Sequence, residues 1–390
     1  MRLTYQHTIK ASYLGCITQA IINNFAPLLF LTFQRDYHIP LAQITLLVTV
    51  NFGVQLAVDL LSAKFVDRIG YRRCIVAAHF LCALGLVCMG ILPALLPAPF
   101  VGLLCAIVLY AIGGGLIEVL ISPIVEACPS DAKASAMSLL HSFYCWGHMG
   151  VVLISTAFFA ILGVKHWPIL ALCWALLPLC NAFFFLKVPI AQLNENEIGL
   201  TLGELVKNRL FWLLMLLMLC AGASEQGMSQ WSSAFAEAAL GVSKTVGDLA
   251  GPCSFALCMG LSRLWFSKVC ERRPVVPLMA LSSGLCVIAY LLAALTKSPV
   301  LGLLGCGLCG FSVGALWPGT FSLGAKACPR GGTAMFALFA LAGDMGCSGG
   351  PTLVGMVAKG ANDSLQAGLL SAIVFPILMI AGLLLIKKQA

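Results

Sequence analysis

Charge is the scarcest commodity in this sequence. Of 390 residues only 10% are Asp, Glu, Lys or Arg, whereas 60% are hydrophobic and the mean hydropathy is +0.98. Soluble domains carry about a quarter of their residues as charges, so that class is excluded. Motifs of energy-coupled or hydrolytic chemistry are also missing: there is no GxxxxGK[ST] phosphate loop, no HExxH, and no nucleophile with a convincing base. These absences argue against an ATP-driven pump and against an intramembrane enzyme, and no cofactor or metal is expected. The net charge of +8 is scattered singly between apolar runs instead of forming a basic face, which argues against nucleic acid as a partner. Nearly all of the 18 Cys lie inside apolar runs, so they read as small packing residues of membrane helices and not as a disulfide framework.

What the chain does have is long apolar runs. About 20 apolar residues let a helix cross the hydrocarbon core, and every backbone polar group there must be satisfied within its own segment. Twelve such runs occur, from Ala11 to Leu31 through Ser364 to Ile386. With Met1 inside, eighteen of the 23 Lys and Arg, Arg263 among them, are counted to the cytoplasmic side. Only Arg35, Lys165, Lys244, Lys297 and Lys359 are counted outside. That asymmetry puts both termini in the cytoplasm. The N-terminus has no convincing cleavage site and reads as a cytoplasmic start.

The longest polar stretch, Lys187 to Arg209, falls near the middle of the chain. It divides an N-terminal bundle of six helices, residues 1–186, from a C-terminal one, residues 210–390, with 187–209 as a cytoplasmic linker. Internal similarity supports the division. Ala127-Cys128-Pro129 returns as Ala327-Cys328-Pro329, and Ser122 as Ser322. Gly147-His148-Met149-Gly150 returns as Gly343-Asp344-Met345-Gly346. The expected fold is therefore all-α and integral to the membrane, with twelve transmembrane helices in two pseudo-symmetric six-helix bundles.

This layout, with the basic loop Asp67-Arg68-Ile69-Gly70-Tyr71-Arg72-Arg73 after the second span, resembles the major facilitator superfamily. Ala63 stands where that family's loop signature opens on Gly. More local matches are similar to the fucose permease-like sugar and proton symporters: Gly222 through Trp231 in the seventh span, Glu118 with Ser122-Pro123 in the fourth, Trp317-Pro318 and Gly349-Gly350-Pro351. The resemblance implies proton-coupled symport of a sugar. One departure matters: Asn23 and Asn24 match the family pair, but Pro27 falls where an acid used in proton coupling is expected.

Charge in hydrocarbon costs roughly 2.5–3.5 kcal/mol on insertion scales, so an intramembrane acid implies a polar cavity, a partner or a protonated state. Asp59, Glu118, Glu225 and Asp344 fall within the expected spans. Glu118 follows Gly113-Gly114-Gly115, where missing side chains allow close helix approach and a local break, and is expected to be buried. It is the first candidate for proton coupling. Asp344 and His148, equivalent in the two repeats, are the others, expected to face a central interface and respond to pH.

Candidate solute contacts are Asn23, Asn24, Asn51, Gln55, Glu118, His141, Tyr144, Glu225, Gln226, Gln230, Trp231 and Trp317: amide and carboxyl partners for hydroxyls, and aromatic faces for the CH surface of a sugar. The strip from Glu225 to Trp231 does not share one helical face, which implies an interrupted helix. Asp59, Asp67, Arg68 and Arg72 are candidate inner-gate residues, through a salt bridge from Asp59 to the loop.

The reading is a secondary active transporter for a small polar solute, a sugar or related polyol, coupled to protons by alternating access. It is expected as a monomer in the lipid bilayer of a bacterial cytoplasmic (inner) membrane. Efflux of a drug-like or metabolite solute and, from another class, a non-transporting membrane receptor or scaffold stay open.

Overall fold

The structure, a computed structural model, describes residues 3–129, 133–191, 202–269, 273–327 and 332–389. Among them there are helices and turns and no strand, as a bilayer demands of so apolar a chain. Among the described residues eleven helices are long and apolar enough to cross a membrane. The remaining span, Gly332–Gly360, is 29 residues long; at 1.5 Å per residue that is about 43 Å, ample for a core of about 30 Å. Asp344, Pro351 and its glycines lower its hydropathy without shortening it. The protein is thus an all-α membrane protein of twelve spans, in two compact units, Met1–Glu195 and Asn196–Ala390.

In the first unit, span 1 runs as Tyr5–Asn24, a 3-10 turn Ala26–Leu29 and Phe30–Tyr37. The turn sits at Pro27, whose missing N–H breaks the α-helical ladder directly after Asn23 and Asn24. Span 2 is Leu41–Ile69, span 3 Tyr71–Leu95, span 4 Pro99–Ala127, span 5 Lys133–Leu162 and span 6 Trp167–Lys187. Span 4 packs on spans 1, 2 and 3, span 3 also on span 6, and span 5 on span 1.

The expected break at Gly113-Gly114-Gly115 does not occur. Span 4 is helical throughout, and its three successive glycines, about 100° apart around the axis, each admit a different neighbour. A Cβ on Gly113 would lie 2.5 Å from the Ala78 carbonyl oxygen of span 3. One on Gly114 would lie 2.4 Å from Ile22 Cδ1 of span 1, and one on Gly115 2.9 Å from the Gln55 carbonyl oxygen of span 2. The run is therefore a three-way seat for span 4 and not a hinge.

In the second unit, span 7 is Arg209–Ser229, continued after a turn by Ser232–Leu240. Span 8 comprises Lys244–Asp248, a π turn Leu249–Cys253 and Ser254–Val269. The wide turn accommodates Pro252, which has no N–H to donate. Span 9 is Val275–Leu295, and span 10 is Pro299–Val313 with Leu316–Ala327. Pro318 has no N–H for the Gly314 carbonyl, and the helix is broken at that residue. Span 11 is Gly332–Gly360, and span 12 is Leu365–Ser371 with Val374–Gln389. The packing repeats that of the first unit: 7 on 11 as 1 on 5, 9 on 10 as 3 on 4, 8 on 10 as 2 on 4, and 9 on 12 as 3 on 6.

Candidate functional site

The first unit carries a hydrogen-bonded polar cluster at the seat of span 4. Asn51 and Gln55 are one turn apart on span 2 and so share a face. Gln55 Nε2 donates to Asn51 Oδ1 at 3.1 Å and to Asn23 Oδ1 at 2.9 Å. Asn51 Nδ2 donates to the same Asn23 oxygen at 3.1 Å. Gln19, one turn before Asn23 on span 1, donates its Nε2 to Gln55 Oε1 at 2.8 Å and to Glu118 Oε2 at 3.1 Å. Four amides and one carboxylate from spans 1, 2 and 4 thus form a continuous network. The amides are buried, whereas Glu118 is exposed, contrary to the expected burial. Beside the network, Asn24 Nδ2 lies 3.4 Å from the Tyr144 hydroxyl of span 5 and donates to the Ala20 carbonyl at 2.9 Å.

The second unit is built around a different pair. Glu225 on span 7 accepts from Arg263 on span 8, Nη2 to Oε2, at 3.4 Å, with side chains 8% and 18% exposed. Arg263 therefore belongs inside a span and not with the cytoplasmic loop charges. A carboxylate deep in the unit needs a counter-charge, and the guanidinium supplies it.

Beyond Glu225 the helix is interrupted at Gln230 and Trp231. Gln230 Nε2 donates to Gln226 Oε1 at 3.1 Å. The fully buried Trp231 donates its indole N–H to the Pro351 carbonyl of span 11 at 2.9 Å. Trp317 packs the far edge of its indole against span 11, its Cη2 only 2.2 Å from where a Cβ on Gly343 would be, next to the buried Asp344.

A model of the Major Facilitator Superfamily matches residues 12–351 of the sequence. The chain belongs to the Major Facilitator Superfamily. No curated protein matches it at significant sequence similarity. Among solved structures, it is similar to a bacterial homolog of the human lysosomal transporter Spinster. In the inward-facing, occupied conformation the TM-score is 0.78 at 15% identity, over 98% of this chain and 96% of that one. In the inward-facing, unoccupied conformation it is 0.75 at 16%, with the same coverage. A variant of the E. coli fucose:proton symporter FucP matches with a TM-score of 0.67 at 16% identity, over 98% of this chain and 99% of that one. At these identities the likeness establishes the fold.

Other candidates are dispersed over this superfamily transporter. His148 is buried on span 5, next to Gly147, which packs on Ile17 and Ala20 of span 1. Asp59 is half-buried one turn beyond Gln55. Arg72 donates to the Phe185 and Leu186 carbonyls at 2.8 and 2.9 Å and so caps span 6, while Arg68 is exposed. The side chains of Asp67 and His141 and the linker residues 192–201 lie outside the described residues.

Three polar groups escaped the sequence reading besides Gln19 and Arg263. His79 Nδ1 donates to the Ile75 carbonyl at 2.8 Å, which leaves Nε2 to accept from Asn181 Nδ2 at 2.9 Å; Asn181 also donates to the Ala11 carbonyl at 3.0 Å. This ties spans 1, 3 and 6 together. At the far end of the second unit, fully buried Asp248 pairs with Lys244 at 3.1 Å and accepts from Ser233. The sequence has a single CxxC, Cys306 to Cys309. Both thiols are buried against span 7 near Met228 and the Ser224 carbonyl, and no metal-holding group of His, Cys, Asp or Glu exists among the described residues.

Proposed function

We propose that this superfamily transporter moves a small hydroxyl-rich solute, a sugar or related polyol, by proton-coupled alternating access. Glu118 is the proton carrier, and Asn23, Asn51, Gln55 and Tyr144 are solute contacts. The observation that carries the reading is the network joining an exposed intramembrane carboxylate to four amides. A carboxylate that is reachable from outside its bundle can exchange a proton, and amides offer both donors and acceptors to hydroxyls. The buried Glu225–Arg263 pair supports a separate role for the second unit, holding span 8 on span 7 and leaving Glu118 as the acid that cycles. The fold likeness to a fucose:proton symporter is compatible with this reading, and the asymmetry of loop charges supports cytoplasmic termini.

Flux into proteoliposomes tests it, using a panel of radiolabelled monosaccharides and polyols with and without an inward proton gradient. At least one should accumulate only with the gradient, and Glu118→Gln should abolish accumulation while sparing counterflow exchange. If no sugar or polyol moves while hydrophobic cations do, export of an amphipathic solute replaces the proposal.

A further inference from the structure

We propose that Gln19 is a positioning residue that reads the protonation state of Glu118 and transmits it to the solute-binding amides. This rests on Glu118 being the proton carrier, and it adds how the proton is felt by the solute site. Donors and acceptors in the network are unequal in number. An ionised carboxylate only accepts, whereas an amide has two N–H donors and an oxygen acceptor.

Gln55 spends both N–H groups on Asn23 and Asn51, which turns its oxygen towards Gln19. Gln19 spends both of its own on that oxygen and on Glu118. The donors are then exhausted. Gln19 Oε1 is left buried without a hydrogen-bond partner, although the residue is only 7% exposed. A buried polar atom in that state is rare enough to require a reason.

The orphaned oxygen lies against span 4, 3.1 Å from where a Cβ on Gly114 would be. Because Gly114 has no side chain, the amide has room to lie there and to turn. Ionised Glu118 holds the amide in this orientation, with nitrogen towards the carboxylate and oxygen stranded. Proton uptake adds an O–H to Glu118, and the neutral acid becomes a donor. Gln19 Oε1 is the acceptor in want of one, and a half-turn of the amide brings it to the new O–H.

That turn also points Gln19 Oε1 at Gln55 Oε1, two acceptors face to face. Gln55 relieves the conflict by turning its own amide, which withdraws its N–H groups from Asn23 and Asn51. The oxygens of Asn23 and Asn51 then each have one acceptor position open to a solute hydroxyl, Asn23 Oδ1 still accepting from Asn51 Nδ2. A proton on Glu118 is thereby converted, through two amide turns, into acceptors at the solute site. The reverse sequence returns them to Gln55 when the proton leaves. Linked hydrogen bonds polarise one another, so turning one amide biases the next.

Other titratable groups on the surrounding elements include Tyr13 and Cys16 on span 1, Asp59 on span 2, His79 and Cys82 on span 3, and Tyr144, Cys145 and His148 on span 5. Cys16 is within electrostatic reach of Glu118 and of Cys145. None of them is hydrogen-bonded to Gln19, whose polar contacts are Gln55 and Glu118.

Infrared difference spectroscopy of the full-length protein in liposomes, stepped from alkaline to acid pH without solute, tests the relay. The protein carries asparagine labelled with carbon-13 at the side-chain carbonyl. We expect a protonated-carboxyl band that Glu118→Gln removes, and a labelled-asparagine shift with the same pH midpoint. In Gln19→Met, which fills similar volume without donors or acceptors, the carboxyl band should persist and the asparagine shift should disappear. Gln19→Leu serves as the second variant should Gln19→Met not yield monodisperse protein. An asparagine shift that survives in either variant overturns the relay alone. Absence of any carboxyl band sensitive to Glu118→Gln overturns both the relay and the coupling role of Glu118.

Discussion

Replacing Arg263 with methionine strands the Glu225 carboxylate inside the second unit. The two charges lie 3.4 Å apart with side chains 18% and 8% exposed. At an effective dielectric of about 20, unit charges at that separation attract by roughly 5 kcal/mol. Desolvation of both ions offsets much of this, so an apolar pair of similar volume can serve almost as well; removing one partner alone typically costs about 3–5 kcal/mol. For a unit the size of Asn196–Ala390, each kcal/mol moves Tm by about 2–4 °C. Arg263→Met should therefore lower Tm by roughly 6–20 °C. Adding Glu225→Gln to Arg263→Met should recover most of the loss.

Thermal unfolding of purified protein in detergent measures this, followed by a thiol-reactive dye, since many cysteines are buried. Two outcomes refute the reasoning: Arg263→Met melting with the wild type, or a double variant no more stable than Arg263→Met. Either would mean that Glu225 is satisfied by something other than the guanidinium.

Gly222→Ala places a methyl 2.2 Å from the Gly343 carbonyl oxygen, a backbone atom that cannot move aside. It should cost at least the ~1–3 kcal/mol of ordinary overpacking, whereas Gly284→Ala, with nothing within 4 Å, should melt like wild type. Trp231→Phe keeps most of the packing but leaves the Pro351 carbonyl without its donor, a loss of about 1–3 kcal/mol in Tm measurements. If the indole serves packing, the solute KM should not move; a large rise in KM would assign Trp231 to recognition. Asn181→Leu removes the donor to both His79 Nε2 and the Ala11 carbonyl. It should destabilise by roughly 1–3 kcal/mol for each group left unsatisfied, and adding His79→Phe should return part of that stability.

Much of the architecture was legible in the sequence because membrane helices are locally specified. Each must satisfy its own backbone in hydrocarbon, so hydropathy alone marks the spans. Helix interruptions were legible for a similar reason. Pro318 lacks an N–H and the strip from Glu225 to Trp231 fits no single helical face, although a proline alone does not decide it, since Pro123, Pro178 and Pro351 lie within unbroken helices. The four-residue spacing of Asn51 and Gln55 revealed a polar stripe, and the structure brings both to Asn23.

The rest depended on which way each helix turns its faces, and an apolar background gives no phase from which to infer that. Gln19 is one turn from Asn23, yet a lone amide in an apolar span can face any neighbour; only the packing of spans 1, 2 and 4 directs it at Gln55 and Glu118. Arg263 looked like one more orienting cation because its partner lies 38 residues away in sequence. The glycines before Glu118 suggested a break, since glycine weakens a helix and permits close approach alike. Packing selected close approach, to three different helices at once. The sequence by itself determined how many times the chain crosses the membrane and which polar residues it carries there. Only the tertiary structure decided which of them meet, because hydrogen bonds and ion pairs form between spans while hydropathy is written within them.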